Sequence, residues 1–146
     1  MKRSIFIFML FISALLSGCA SGLKPIQEEA LPHVAYSVVD DAGRKLSFER
    51  KPTRIVSLTY GTDEILVALV DLKRIRAFSR WAGDQEISFI TREQLIDVGL
   101  KVNDNLEAIL KLEPDLVVAS AATSNDVVQS LENIGIKVYI ASSPRN

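Results

Sequence analysis

From Arg54 onward the chain alternates between short runs of consecutive apolar residues and longer stretches whose apolar positions recur every three or four residues. The first kind of run predicts buried strands, the second amphipathic helices. Ile55-Val56-Ser57-Leu58 reads as a strand. Thr62 or Asp63 is positioned to cap a helix whose Ile65, Leu66 and Leu69 share one face. Ile75 to Phe78 is a second strand, Ile87 to Ile96 holds a weaker helical stretch, and Ile96 to Val98 reads as a short strand before Gly99. Asn103 or Asp104 then caps a helix carrying Leu106, Ile109, Leu110 and Leu112, stopped by Pro114, because the residue before a proline is pushed out of helical geometry. Leu116 to Ala119 is another strand. Ser124 caps a helix with Val127, Val128, Leu131 and Ile134 on one face, Gly135 closes it, and Val138 to Ile140 is the last strand. Upstream, Tyr36–Asp40 and Lys45–Phe48 flank the glycine-bearing turn Asp41-Ala42-Gly43-Arg44, a hairpin pattern ended by Pro52. Strands alternating with helices imply a parallel sheet covered on both faces. The expected fold is a three-layer α/β/α sandwich with a mainly parallel sheet of four or five strands, preceded by the β-hairpin.

The N-terminus has a different character. Lys2 and Arg3 precede an apolar run from Ile5 to Leu16 that is too short to cross a bilayer as a mature helix. It ends in Leu16-Ser17-Gly18-Cys19, which resembles a bacterial lipobox. Residues 1–18 are then a signal peptide, and Cys19, the only cysteine, is the lipidated first residue of the mature protein. A single acyl chain anchors weakly, at about 0.8 kcal/mol per buried methylene, and the lipid expected here carries more than one. The protein is therefore expected outside the cytoplasm, held at the cell membrane or at an envelope membrane through Cys19. Residues 19–33, broken by Gly22 and Pro25, read as a tether, and residues 34–146 as the folded lobe.

Loss of 18 residues from 146 leaves 128, enough for one domain with a real core. The formal charge of −1 becomes −3 without Lys2 and Arg3, so the basic footprint that nucleic acid requires is missing. The inventory also argues against most catalysis. His33, the only histidine, lies near the tether, and Cys19 is consumed by the anchor. A hydrolytic triad would need His33 in the sheet-edge cleft, against its position in the chain, and transition-metal capture by clustered imidazoles or thiolates is excluded by count. No phosphate-binding glycine motif follows a strand, which leaves no cradle for a nucleotide cofactor. Asp63 and Glu64 could form an acid/base pair at a strand-to-helix turn, although acids there also suit the helix dipole.

Three segments resemble one family. They are Arg54-Ile55-Val56-Ser57-Leu58 with Thr62-Asp63-Glu64-Ile65-Leu66, the run from Asn105 through Glu113-Pro114-Asp115 to Val118, and Leu131 to Tyr139. Together with the lipobox they are similar to the N-terminal lobe of the solute-binding lipoproteins that serve ABC importers of ferric siderophores, haem and cobalamin. The resemblance implies two lobes joined by a long helix, with ligand between them, and delivery to a permease without catalysis. It also implies that this chain carries the first lobe and stops before the linking helix, as a truncated reading frame or an excised fragment would. A single wall would then retain ligand weakly or not at all.

Open α/β sheets bind ligands at the carboxyl ends of their strands. The loops there are Thr59-Tyr60-Gly61, Ser79-Arg80-Trp81, Leu100-Lys101 and Ser120-Ala121-Ala122. The resemblance implies aromatic and basic ligand contacts, which Tyr60, Arg80, Trp81 and Lys101 match in type. Trp81 offers a flat wall to a bulky planar ligand, and Arg80 and Lys101 would attract its anionic groups. Glu107 stands where the family's glutamate docks on permease arginines, and the apolar pattern of Leu106, Ile109 and Leu110 turns it to solvent. Two other readings remain: a lipid-anchored module that pairs with a separate polypeptide, or a fragment without function.

Overall fold

The computed structural model describes residues 35–142. The expected signal peptide, Cys19, the tether and His33 lie outside those residues. Two strands, β1 (Tyr36–Val39) and β2 (Lys45–Phe48), form the antiparallel hairpin, with Tyr36 opposite Phe48. Their rings stack across the ladder at 5.3 Å. The hairpin is fastened to the remainder by Asp40. Its carboxylate accepts from Arg44 Nε and Nη2 and from Ile140 N, while Arg44 also reaches Glu132 and the Val138 carbonyl.

Five parallel strands follow: β3 (Ile55–Ser57), β4 (Ile75–Ser79), β5 (Lys101–Val102), β6 (Leu116–Ser120) and β7 (Lys137–Ala141). They lie in the order β5-β4-β3-β6-β7. The helices are α1 (Tyr60–Leu69), α2 (Arg92–Val98), α3 (Leu106–Leu110) and α4 (Asn125–Asn133), with one 3-10 turn at Leu72–Arg74. Residues along the strands divide between the two faces, with the alternation in β4 broken by an irregularity in its pairing with β3. Ile55, Ile75, Phe78 and Val118 pack with Leu66 of α1 and with Leu95 and Val98 of α2. Val56, Ala77, Val117, Ala119 and Val138 pack with Ile109 of α3 and with Val128 and Leu131 of α4. This is the expected α/β/α sandwich. Ile109 and Leu131 are fully buried, each worth about 1.5–3 kcal/mol relative to exposure.

Several boundaries differ from the sequence reading, each for a local reason. Helix α1 is capped by Thr59, not by Thr62 or Asp63. Thr59 Oγ1 accepts from Thr62 N, and Thr62 Oγ1 accepts from Thr59 N, a reciprocal capping box. Its inward face is Thr62, Asp63 and Leu66, whereas Ile65 and Leu69 are 47% and 76% exposed. The two polar residues claim the interior because hydroxyl and amide partners wait for them there. Helix α2 begins only after Thr91, whose N–H donates to Gln94 Oε1. Ile96 to Val98 is therefore helix and not strand. Gly99, left-handed at φ 75°, ends it, and the strand moves to Lys101–Val102.

Helix α3 is capped by Asn105, which accepts from Ala108 N; Asn103 instead accepts from Asn105 N. The helix ends at Leu110, before Leu112, and the chain turns left-handed at Glu113 ahead of Pro114. Ser124 precedes α4 but makes no side-chain cap, and Ile134 lies past its end, 56% exposed.

Candidate functional site: a cleft where the sheet changes direction

The strand order decides where a cleft opens. From β3 the chain steps outward to β4 and β5 through α1 and α2, then returns to β6 and β7 through α3 and α4 on the other face. The loops after β3 and β6, neighbouring strands, thus leave toward opposite faces. A crevice at such a point needs no special residues, because it follows from topology.

That crevice is present, with a volume of about 390 Å³. Thr59, Tyr60 and Gly61 line it from the loop after β3, and Ser120, Ala122 and Thr123 from the loop after β6. Arg80 and Trp81 come from the turn after β4, and Asn103 and Asp104 from the turn after β5. Tyr60 is 48% exposed and Trp81 40% exposed, so neither ring is a core plug. The Arg80 guanidinium carbon lies 4.3 Å from the Trp81 ring centroid. Trp81 thus presents an aromatic wall backed by a positive charge, suited to a flat group carrying anionic substituents.

The turn after β6 is held by its own hydroxyls: Ala122 N donates to Ser120 Oγ, and Ser120 N to Thr123 Oγ1. Such hydroxyl-to-backbone bonds fix the shape of a short turn. Tyr60, Arg80 and Trp81 are brought together at this opening. Lys101 is not. It borders an adjoining depression of about 370 Å³ with Arg80, Val102, Asn103 and Ala108, and its Nζ donates to the Ala82 carbonyl. Asn103, Asp104 and Thr123 entered the lining unforeseen. The sequence cast the first two as helix caps, and Asn105 took that role.

Asp63 and Glu64 do not form an acid/base pair in the cleft. Asp63 is fully buried and accepts from Ser79 N and Ser79 Oγ, at 2.9 and 2.6 Å. Burial pushes its carboxyl above the ordinary value, against the lowering effect of hydrogen bonds from Ser57 and Ser79. Glu64 accepts from Phe89 N. Among the described residues no group of three or more His, Cys, Asp or Glu could hold a metal ion. Among the same residues no helix is long and apolar enough to cross a membrane.

A larger opening, about 650 Å³, lies at the amino ends of the strands beside the hairpin. Its polar groups are largely occupied. Asp115 accepts from Thr53 N, Thr53 Oγ1 and Arg54 N, and Lys137 sits 5.6 Å from the Phe48 ring. We read it as a seam between hairpin and sheet. Glu107 is exposed on α3, clear of both openings.

A scan against protein-family models finds no match. Two curated relatives come from Bacillus subtilis (strain 168). One, a probable siderophore-binding lipoprotein YfiY, is 29% identical over 150 residues, covering 100% of this chain and 46% of the relative. The other, an uncharacterized ABC transporter substrate-binding lipoprotein YvrC, is 27% identical over 157 residues, covering 99% and 46%. Among solved structures, the haem-binding protein HmuT superposes with a TM-score of 0.59 at 22% identity, over 88% of this chain and 40% of that one. The fold matches that of part of this solved binding protein. The resemblance read from the three segments holds, since one relative is named a probable siderophore-binding lipoprotein and the other an ABC transporter substrate-binding lipoprotein. The chain spans under half the length of these relatives.

Proposed function

We propose that this chain forms a ligand-binding lobe of the substrate-binding component of an ABC importer, taking an iron chelate, haem or a corrinoid. The observation that carries the reading is the Arg80–Trp81 wall, which lines, together with Tyr60, a crevice at the direction change of the sheet. The names of the relatives support it: one is a probable siderophore-binding lipoprotein, and the solved neighbour HmuT binds haem. Tyr60, Arg80 and Trp81 contact the ligand, and Lys101 adds positive charge at the flank. The lobe binds and releases, and catalyses nothing. Residues 1–18 are a signal peptide, Cys19 carries the lipid and residues 19–33 a tether, which places residues 34–146 outside the cytoplasm at a membrane. Glu107 meets the permease.

Binding sites usually bury about 70–90% of a ligand, which one wall cannot do. Tight retention therefore requires a second wall, from the second lobe of a longer chain or from a separate polypeptide. The test uses Trp81, the only tryptophan, as reporter. Hemin, a ferric hydroxamate siderophore and cyanocobalamin are titrated against the full chain while its emission is followed. Saturable quenching by one of them, weakened in Tyr60→Ala, is the expected result. No saturable quenching by any of the three overturns the reading. Incorporation of labelled palmitate, abolished by Cys19→Ala, tests the anchor.

A further inference from the structure

The first turn of α1 carries two adjacent polar residues that are both buried, Thr62 and Asp63, and each grips a different rim of the crevice. Thr62 Oγ1 lies 2.7 Å from Ser57 Oγ and 2.9 Å from Thr59 Oγ1, and so holds the loop that carries Tyr60. Asp63 reaches across to β4, sixteen residues further along the chain. Its Oδ1 accepts from Ser79 N and its Oδ2 from Ser79 Oγ.

Ser79 is the first residue of the tight turn whose two central positions are Arg80 and Trp81. Ala82 N donates to the Ser79 carbonyl at 3.1 Å, and Trp81 N donates to Ser79 Oγ at 3.3 Å. The donors and acceptors agree along the path: Trp81 N–H to Ser79 Oγ, then Ser79 Oγ–H to the Asp63 carboxylate. The orientation of the Arg80–Trp81 wall therefore depends on two points fixed by one side chain. We infer that Asp63 is a positioning residue for the crevice, setting the aim of the Arg80–Trp81 wall through Ser79.

This rests on the proposed binding role of that wall. An alternative is that Asp63 only stabilises the fold, but its chemistry makes that an expensive choice. No lysine or arginine among the described residues pairs with it, and a buried unpaired carboxylate is a net cost that an apolar side chain would avoid. What an apolar side chain cannot do is fix the amide and the hydroxyl of Ser79 together.

The experiment reads Trp81 in the full chain without ligand, through its emission maximum and its quenching by acrylamide. Asp63→Asn keeps the shape but loses one acceptor, and Ser79→Ala removes the relay hydroxyl while sparing the amide contact. Both are expected to red-shift Trp81 emission and raise the acrylamide quenching constant. The double variant should go no further than the larger single, as members of one path are not additive. Thr62→Val removes an equally buried hydrogen-bonding group from the same helical turn, and should leave Trp81 emission at the wild-type position. If Asp63→Asn does not fold, the comparison of Ser79→Ala with Thr62→Val carries the test alone. Equal shifts from Thr62→Val, or none from Ser79→Ala, would overturn the inference. Titration of the same proteins with hemin, the ferric hydroxamate siderophore and cyanocobalamin separates this idea from the functional one. Acrylamide responses as expected, with no ligand quenching in the wild type, would remove the importer reading and leave the positioning path standing.

Discussion

The Arg80 guanidinium lies over the face of the Trp81 ring, 4.3 Å from its centroid, at the mouth of the crevice. Stacking on the ring fixes the cation without consuming its outward N–H groups.

That arrangement makes Arg80→Gln informative. A hydrogen bond to a charged group is worth about 1.5 kcal/mol, so hemin should bind roughly tenfold more weakly to the variant. Hemin dimethyl ester, which lacks free propionates, should bind wild type and variant alike. Equal losses for both compounds, measured by absorbance titration, would assign Arg80 to packing.

Glu107 offers a test of docking. It is exposed on α3, where an acid near the helix start also gains about 0.3–1 kcal/mol from the dipole. In a full-length receptor, Glu107→Arg should reduce ligand uptake while thermal unfolding moves little. Uptake that stays at the wild-type level would leave the dipole as the whole role.

Gly83 should be less replaceable than Gly43. Both are left-handed, at φ 75° and 80°, and any residue with a Cβ loses about 1–2 kcal/mol there. At Gly43 a Cβ meets open space, whereas at Gly83 it runs into Leu95 Cδ1 of α2. Gly83→Ala should therefore lower stability more than Gly43→Ala in urea unfolding. The excess is limited, because the tip of Leu95 can turn aside.

Acid should weaken the fold through the hairpin clamp. Burial raises the Asp40 carboxyl, but hydrogen bonds from Arg44 and Ile140 N outweigh it and leave the value lowered. Asp115 behaves likewise, its burial overcome by Thr53 and Arg54. A carboxyl lowered in the folded state contributes stability that is complete above its unfolded value, about 3.9, and is lost as pH falls through the folded value. Asp63, raised by burial, has the opposite sign: protonation between its unfolded and folded values favours the fold. Urea unfolding over a pH series should show stability falling in acid, a shallower fall in Asp40→Asn and a steeper one in Asp63→Asn. An unchanged slope in Asp40→Asn would remove that clamp from the account.

Much of the architecture was legible before folding, because it depends on local periodicity. Runs such as Leu116–Ser120 and Lys137–Ala141 announce strands, and the Gly43 turn announces the hairpin. The exposure of Glu107 followed from the spacing of Leu106, Ile109 and Leu110. The inward face of α1 was misread for a definite reason. Period alone ranks Ile65 and Leu69 above Thr62 and Asp63, and it cannot see Ser79 waiting sixteen residues away to satisfy a buried carboxylate.

The sequence by itself therefore determined the layered α/β class, the hairpin and the chemical types available on the carboxyl-end loops, since each is set by neighbours along the chain. Only the tertiary structure decided that β3 lies beside β6, that Tyr60, Arg80 and Trp81 share one opening, and that Lys101 turns toward Ala82 instead. Strand order and side-chain aim arise from contacts between segments far apart in sequence, and no local pattern encodes them.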